Sequence, residues 1–200
     1  NAQLLRMMFR AAENWGHDAA GGAYVIDGEQ KMFKKATPTR KMTGSQFLIK
    51  SRSKTLREMG DASYIGLGHT RSGTHGANTD KNAHPFECEG AMFAHNGIIQ
   101  NYEDILPGAV VDSECLGPLL HEKSLGKAHG SNGLIWLENG QLYCYRRNQR
   151  LSAITGSSFV DGSPLTLIGT DLCIVEFALD DRQPKMRTML NEGVAYRVDS

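Results

Sequence analysis

Residues 69–97 read HTRSGTHGANTDKNAHPFECEGAMFAHNG. Both ends look like the ends of apolar strands, and between them runs a stretch of Gly, Thr, Asn and Asp with no core-facing period. It also holds four of the chain's seven histidines. A polar connection this long inside a compact fold points to a loop that binds or reacts with something.

Outward from this loop, residues 63–71 form the strand that enters it and residues 91–95 the strand that leaves it. Asn96-Gly97 reads as a tight turn, with Ile98-Ile99 leaving it. On the N-terminal side, residues 1–14 carry a helical period through Leu4, Leu5, Met8, Ala11 and Ala12. Residues 21–26 and 31–35 form a hairpin about Asp27-Gly28. A second helix runs from a Thr43 or Ser45 cap to about residue 59, with Phe47, Leu48 and Leu56 inward. On the C-terminal side, residues 101–106 suit a helical turn and residues 113–122 a helix through Leu116, Leu119 and Leu120. Asn139-Gly140 joins two strands as a hairpin. The remaining apolar runs, LSAIT, LTLIG, CIVEFAL and VAYRV, read as strands. Early helices followed by hairpin-linked strands give an α+β layered fold with mainly antiparallel sheets.

Composition narrows the function. The chain's 200 residues carry 22 Lys plus Arg against 22 Asp plus Glu, so no net charge calls for nucleic acid or a membrane surface. No apolar run approaches the roughly 20 residues that span a bilayer. Cys88, Cys115, Cys144 and Cys173 form no C-x-x-C pair, which suits reduced thiols in a cytoplasmic protein.

Among residues that could do chemistry, Arg71 at a strand end offers a fork suited to a carboxylate, or an ion pair with a nearby acid. Thr74, His75 and Gly76 could lend a hydroxyl, an imidazole and a close backbone approach. Asn96 and Gly97 could supply N–H groups to a developing oxyanion, or simply turn the chain. Asp112 stands where a helix cap would stand. The group His69, His75, His84, Cys88 and His95 raises a metal site, but none of the usual zinc spacings is present.

Together these pieces resemble the glutaminase domain of the class II, N-terminal-nucleophile (Ntn) glutamine amidotransferases. The matching segments are Gly16-His17-Asp18-Ala19-Ala20-Gly21, His69-Thr70-Arg71 with Thr74-His75-Gly76, Asn82-Ala83-His84-Pro85, His95-Asn96-Gly97-Ile98-Ile99 and Asp112-Ser113-Glu114. They fall in the family's order, across most of residues 1–145. The resemblance implies a four-layer αββα sandwich of two mainly antiparallel sheets in one domain over residues 1–200, lacking its first strand. It implies hydrolysis of L-glutamine to glutamate and ammonia, with no cofactor and no metal. By position, Arg71 would clamp the glutamine α-carboxylate with help from Thr74 and His75. Asp112 and the Gly97 backbone would hold the α-amino group, while Asn96 and the Gly97 N–H would form the oxyanion hole. The polar loop would be a lid over the substrate.

Two departures from the family stand out. Its nucleophile is an N-terminal cysteine whose own amino group serves as base, whereas this sequence begins with Asn1, so the nucleophile is expected upstream. At Ser72-Gly73 the synthase relatives carry a bulky aromatic and a small residue, which implies a more mobile lid here. The ammonia acceptor would then be a separate synthase subunit, further residues, or absent, and a homo-oligomer is left open. The alternative is an inactive amidotransferase-like module that binds glutamine or docks a partner.

Overall fold

The computed structural model describes residues 2–37, 43–51, 65–73, 76–158, 161–176, 179–183 and 185–198. Helix α1 (Ala2–Ala11) runs into a 3-10 turn, Ala12–Asn14. Strands β1 (Ala19–Ile26) and β2 (Glu29–Ala36) form the expected hairpin, with Asp27 and Gly28 at φ 52° and 81°. Helix α2 (Gly44–Ser51) starts on a reciprocal cap. The Gln46 N–H donates to Thr43 Oγ1, and the Thr43 N–H donates to Gln46 Oε1, each at 3.2 Å. The continuation of that helix to residue 59, with Leu56, lies outside the described residues. So do the side chains of Leu4, Leu5, Phe47 and Leu48.

Strand β3 (Gly66–Arg71) pairs with β1, and the order of this sheet is β2-β1-β3, all antiparallel. A second antiparallel sheet has the order β11-β7-β6-β5-β4, from β4 (Phe86–Cys88), β5 (Ala91–Ile99), β6 (Gly130–Glu138), β7 (Gln141–Arg147) and β11 (Ala195–Val198). Between β5 and β6 come α3 (Tyr102–Ile105), a 3-10 turn at Asp112–Cys115, α4 (Leu116–His121) and a 3-10 turn at Leu125–Lys127.

Side-chain alternation along the strands builds the layers. Ala23 and Leu67 on the first sheet meet Met92, Ala94 and Leu137 on the second. The outer face of the first sheet presents Ala20, Tyr24 and Phe33 to Phe9 of α1 and Ile49 of α2. The outer face of the second presents Phe93, Leu134 and Trp136 to Leu116 and Leu119 of α4. This is the expected helix–sheet–sheet–helix stack.

Some expectations are corrected. Asn96 and Gly97 are not a turn: β5 continues through them, pairing Asn96 with Gly133 and Gly97 with Asn132. The eight-residue ladder with β6 overrides the turn preference of the dipeptide. The run CIVEFAL does not start as a strand. It opens as helix α5 (Leu172–Glu176), because the Asp171 carboxylate accepts the Cys173 N–H at 2.9 Å and starts the helix. A third sheet, β10-β8-β9, is added to the two expected, from β8 (Ser152–Ser157), β9 (Pro164–Gly169) and β10 (Met186–Met189). Its Ile154, with Val175 and Leu179, packs against Met8 of α1. No described helix is long and apolar enough to cross a membrane.

Candidate active site

Three chain segments converge around the far end of β5. The first is the end of β3. Arg71 is buried there, 7% exposed, where burial lowers the pKa of its guanidinium while Asp18 and Asp112 push it back up. A buried guanidinium keeps its charge, so the site holds a fixed cation. Asp18 fastens this end of the strand. Its N–H donates to the Arg71 carbonyl at 2.9 Å, and its carboxylate accepts the Gly73 N–H at 2.7 Å. The Arg71 fork lies alongside Gly73, where a Cβ would come within 2.7 Å of Nη1. The glycine of Ser72-Gly73 therefore makes room for the guanidinium and is hydrogen-bonded to Asp18.

The second segment is the loop after Gly76. Lys34 of β2 points its ammonium at the carbonyls of Lys81, Ala83 and Pro85, at 3.2, 2.9 and 2.9 Å. Asp80 accepts from the Lys35 ammonium at 2.6 Å and from the Ala36 N–H at 2.8 Å. The loop is thus strapped along β2 as a wall. Thr74 and His75, placed by the sequence beside Arg71, lie outside the described residues.

The third is β5 with the turn that follows it. Asn96 is exposed, and its Nδ2 donates to Thr170 Oγ1 at 2.9 Å. Gly97 has φ 143°, and a Cβ there would lie 2.1 Å from the Ser131 carbonyl oxygen, so only glycine fits. Asp112 is 5% exposed and is not a helix cap: its Oδ2 accepts the Ile99 N–H at 2.9 Å. Glu114 takes the capping role, accepting from the Val110 N–H at 2.7 Å. The second Asp112 oxygen keeps lone pairs for a further donor.

The histidines lie beneath this site. His95 is buried, with Nδ1 3.0 Å from Ser113 Oγ and Nε2 3.3 Å from the Ser131 carbonyl. A carbonyl only accepts, so Nε2 carries the proton and Nδ1 accepts from Ser113. The His95 N–H donates to His84 Nδ1 at 3.2 Å, and the His84 ring lies tilted against that of His69 with centroids 4.1 Å apart. Burial holds all three neutral, lowering His69 to about 3, His84 well below its usual range, and His95 against the pull of Asp112. Among the described residues no group of three or more His, Cys, Asp or Glu is placed to hold a metal ion. Burial also pushes the Cys115 and Cys144 thiols up to about 12, which leaves them inert as nucleophiles.

The structure therefore brings Arg71, Asn96, Gly97 and Asp112 to neighbouring positions around the end of one strand. Sequence reading gave no role to Asp18, Lys34, Ser113, Ser131 or Thr170. Asp18 and Ser113 fall within segments already matched to the family, and that was their only signal. The others act across sequence gaps that no local pattern shows.

No protein-family model matches the chain. It is similar to curated glutamine–fructose-6-phosphate aminotransferases (isomerizing). That of Rhizobium meliloti (strain 1021) is 40% identical over 90 residues, covering 45% of this chain and 13% of the relative. That of Corynebacterium diphtheriae is 39% identical over 98 residues, covering 48% of this chain and 14% of the relative. The matched stretch is thus a small part of each relative. Among solved structures, the fold is similar to glutamine phosphoribosylpyrophosphate amidotransferase from B. subtilis in complex with ADP and GMP. The TM-score is 0.68 at 13% identity, covering 98% of this chain and 46% of that one. It is also similar to a structure described as the allosteric regulatory enzyme of purine biosynthesis. There the TM-score is 0.73 at 14% identity, covering 99% of this chain and 44% of that one. Sequence likeness over just under half of the chain to one group of glutamine-dependent enzymes, and fold likeness to another, support a class II (Ntn) glutamine amidotransferase domain.

Proposed function

We propose that the domain binds L-glutamine and hydrolyses its side-chain amide to glutamate and ammonia. One observation carries this reading: a buried cation, Arg71, and a buried anion, Asp112, within each other's electrostatic reach beside Asn96 and Gly97. A free amino acid presents a carboxylate and an ammonium on one carbon, and it needs opposite charges at fixed separation to hold both. In this reading Arg71 grips the α-carboxylate, with Thr74 and His75 assisting. Asp112 and the Gly97 backbone take the α-ammonium, and the side-chain amide then extends toward Asn96.

The nucleophile in this reading is the thiol of an N-terminal cysteine outside residues 1–200, its proton taken by its own α-amino group. The sulfur attacks the amide carbon. The carbonyl oxygen becomes an oxyanion that accepts from Asn96 Nδ2–H and the Gly97 N–H. Collapse breaks the C–N bond, the amino group returns the proton, and ammonia leaves. Water then cleaves the thioester to glutamate and the free thiol. The ammonia acceptor belongs to a synthase unit beyond this domain.

Glutamate release from L-glutamine by the full-length protein tests the proposal, with calorimetric titration of glutamine beside it. Tight binding without release would leave a glutamine-binding module and remove the hydrolase. Replacing Arg71 by Lys substitutes a point charge for the fork. The expected result is a KM for glutamine raised by an order of magnitude or more, ~1.4 kcal/mol per factor of ten. An unchanged KM would dismiss the clamp.

A further inference from the structure

Thr170 stands just past β9, in the part of the chain that carries the third sheet, 74 residues from Asn96. Its two β-substituents are both engaged. Oγ1 accepts from Asn96 Nδ2 at 2.9 Å. The methyl Cγ2 sits over Gly133, the residue paired with Asn96 on β6, so close that a Cβ at position 133 would come within 3.1 Å of it. A threonine has a stiff χ1. With the methyl seated on a bare glycine, the hydroxyl is aimed at the Asn96 amide.

This bond has a consequence for Asn96. A primary amide carries two N–H donors and a carbonyl on a terminal torsion with a broad, two-fold preference. At an exposed position the torsion alone does not decide whether the NH2 or the oxygen faces the substrate. In the bond observed, Thr170 Oγ1 accepts one of the two hydrogens, which leaves the other presented on the same nitrogen.

We propose that Thr170 is a positioning residue that orients the Asn96 amide, so that Asn96 offers an N–H, not its oxygen, to the oxyanion. The assignment rests on the hydrolase reading above, and it gives the third sheet a part in the site. In that role Thr170 makes no contact with substrate. Its effect passes through Asn96, so it belongs to turnover and not to glutamine affinity.

The test compares Thr170→Val, which keeps the shape and removes the acceptor, with Thr170→Ser, which keeps the hydroxyl. In the full-length protein, Val should lower kcat by ~10- to 100-fold, somewhat less than outright loss of an oxyanion donor. KM and the calorimetric glutamine affinity should stay unchanged, and Ser should restore most of kcat. Wild-type kcat in the Val variant, or an equal loss of glutamine affinity, would overturn the proposal. A second measurement does not depend on catalysis: solvent exchange of the Asn96 side-chain amide protons, assigned by NMR against Asn96→Asp. Thr170→Val should speed that exchange and Thr170→Ser should not. Unchanged exchange in the Val variant would refute the positioning role even if the wild-type protein released no glutamate, an outcome that would sink the hydrolase reading instead.

Discussion

The two halves of β5 are one strand doing two jobs. Residues 91–95 are buried on both faces, between the sheets on one side and under α4 on the other. From Asn96 the same ladder continues, but the side chains give way to an exposed amide, a glycine and Ile98, which is 44% exposed. The first half is held by packing and is silent about chemistry. The second half is held by polar partners, Ser131 Oγ for the Ile98 N–H and Asp112 for the Ile99 N–H, until the Ile99 side chain, 1% exposed, returns to the core. A site built on the open end of a strand whose other end is locked in a core inherits the rigidity of the core without its burial.

Substitutions in the two halves should therefore separate stability from turnover. The largest effect is expected at Phe93, 1% exposed and packed against Phe86 with ring centroids 5.9 Å apart. Phe93→Ala should cost ~3–5 kcal/mol of unfolding free energy, read from urea denaturation. The surviving folded fraction should keep its KM for glutamine. A loss under 1.5 kcal/mol, the range of tolerated core swaps, would mean that this half is not the anchor.

Asn96→Ala is the counterpart. Turnover should fall by ~10²–10³, the usual consequence of losing one oxyanion donor, while the urea midpoint stays close to that of wild type. Full turnover would remove Asn96 from the oxyanion hole. A midpoint lowered as far as that of Phe93→Ala would erase the distinction between the halves.

Much of this contrast could be read from the sequence. Arg71, Asn96, Gly97 and Asp112 stand out as polar residues at strand and helix ends, and their order carries the family resemblance. The conformation of Asn96-Gly97 could not be read the same way. At Asp27-Gly28 and Asn139-Gly140 both residues have positive φ, and both pairs are true hairpin turns. At 96–97 only the glycine does, and the dipeptide looks the same in the sequence. What separates them is a partner, β6, more than thirty residues further along. CIVEFAL is a short apolar run of the kind that periodicity cannot assign. Lys34 is one cation in a basic stretch until the loop carbonyls that it binds are folded against it. Thr170 has no local signature, since its meaning lies in a contact 74 residues away.

The buried histidines lie under the junction of the two halves and make it sensitive to acid. An unfolded histidine takes up a proton near pH 6.5, whereas burial keeps His69 neutral down to about 3 and lowers His84 and His95 in the same direction. Below the unfolded value the unfolded chain holds the extra protons, so stability is complete above it and declines as pH falls. Each fully neutral histidine contributes a slope approaching ~1.4 kcal/mol per pH unit. Protonated His84 Nδ1 could no longer accept the His95 N–H. Urea midpoints should fall on acidification, and His84→Gln should flatten the decline. A midpoint indifferent to acid would show that these rings take up protons in the fold as readily as in the unfolded chain.

The smallest effect is expected at the locked end, far from the site. Gln30 on β2 clips together two turns of the second sheet, the one between β4 and β5 and the one between β6 and β7. Its Nε2 donates to the Gly90 carbonyl at 2.8 Å, and its Oε1 accepts the Gly140 N–H at 3.2 Å. One amide thus spans two turns that the sequence places 50 residues apart and joins the first sheet to the second at the Ala91 end of β5. Gln30→Ala removes both bonds at a partly solvated place where water can replace them, so the cost should be only ~0.5–1.5 kcal/mol. If the strand is rigid between its ends, kcat and KM for glutamine should not move. A change in kcat as large as the change in stability would mean that the core half transmits displacement to Asn96, and that the two halves of β5 are coupled.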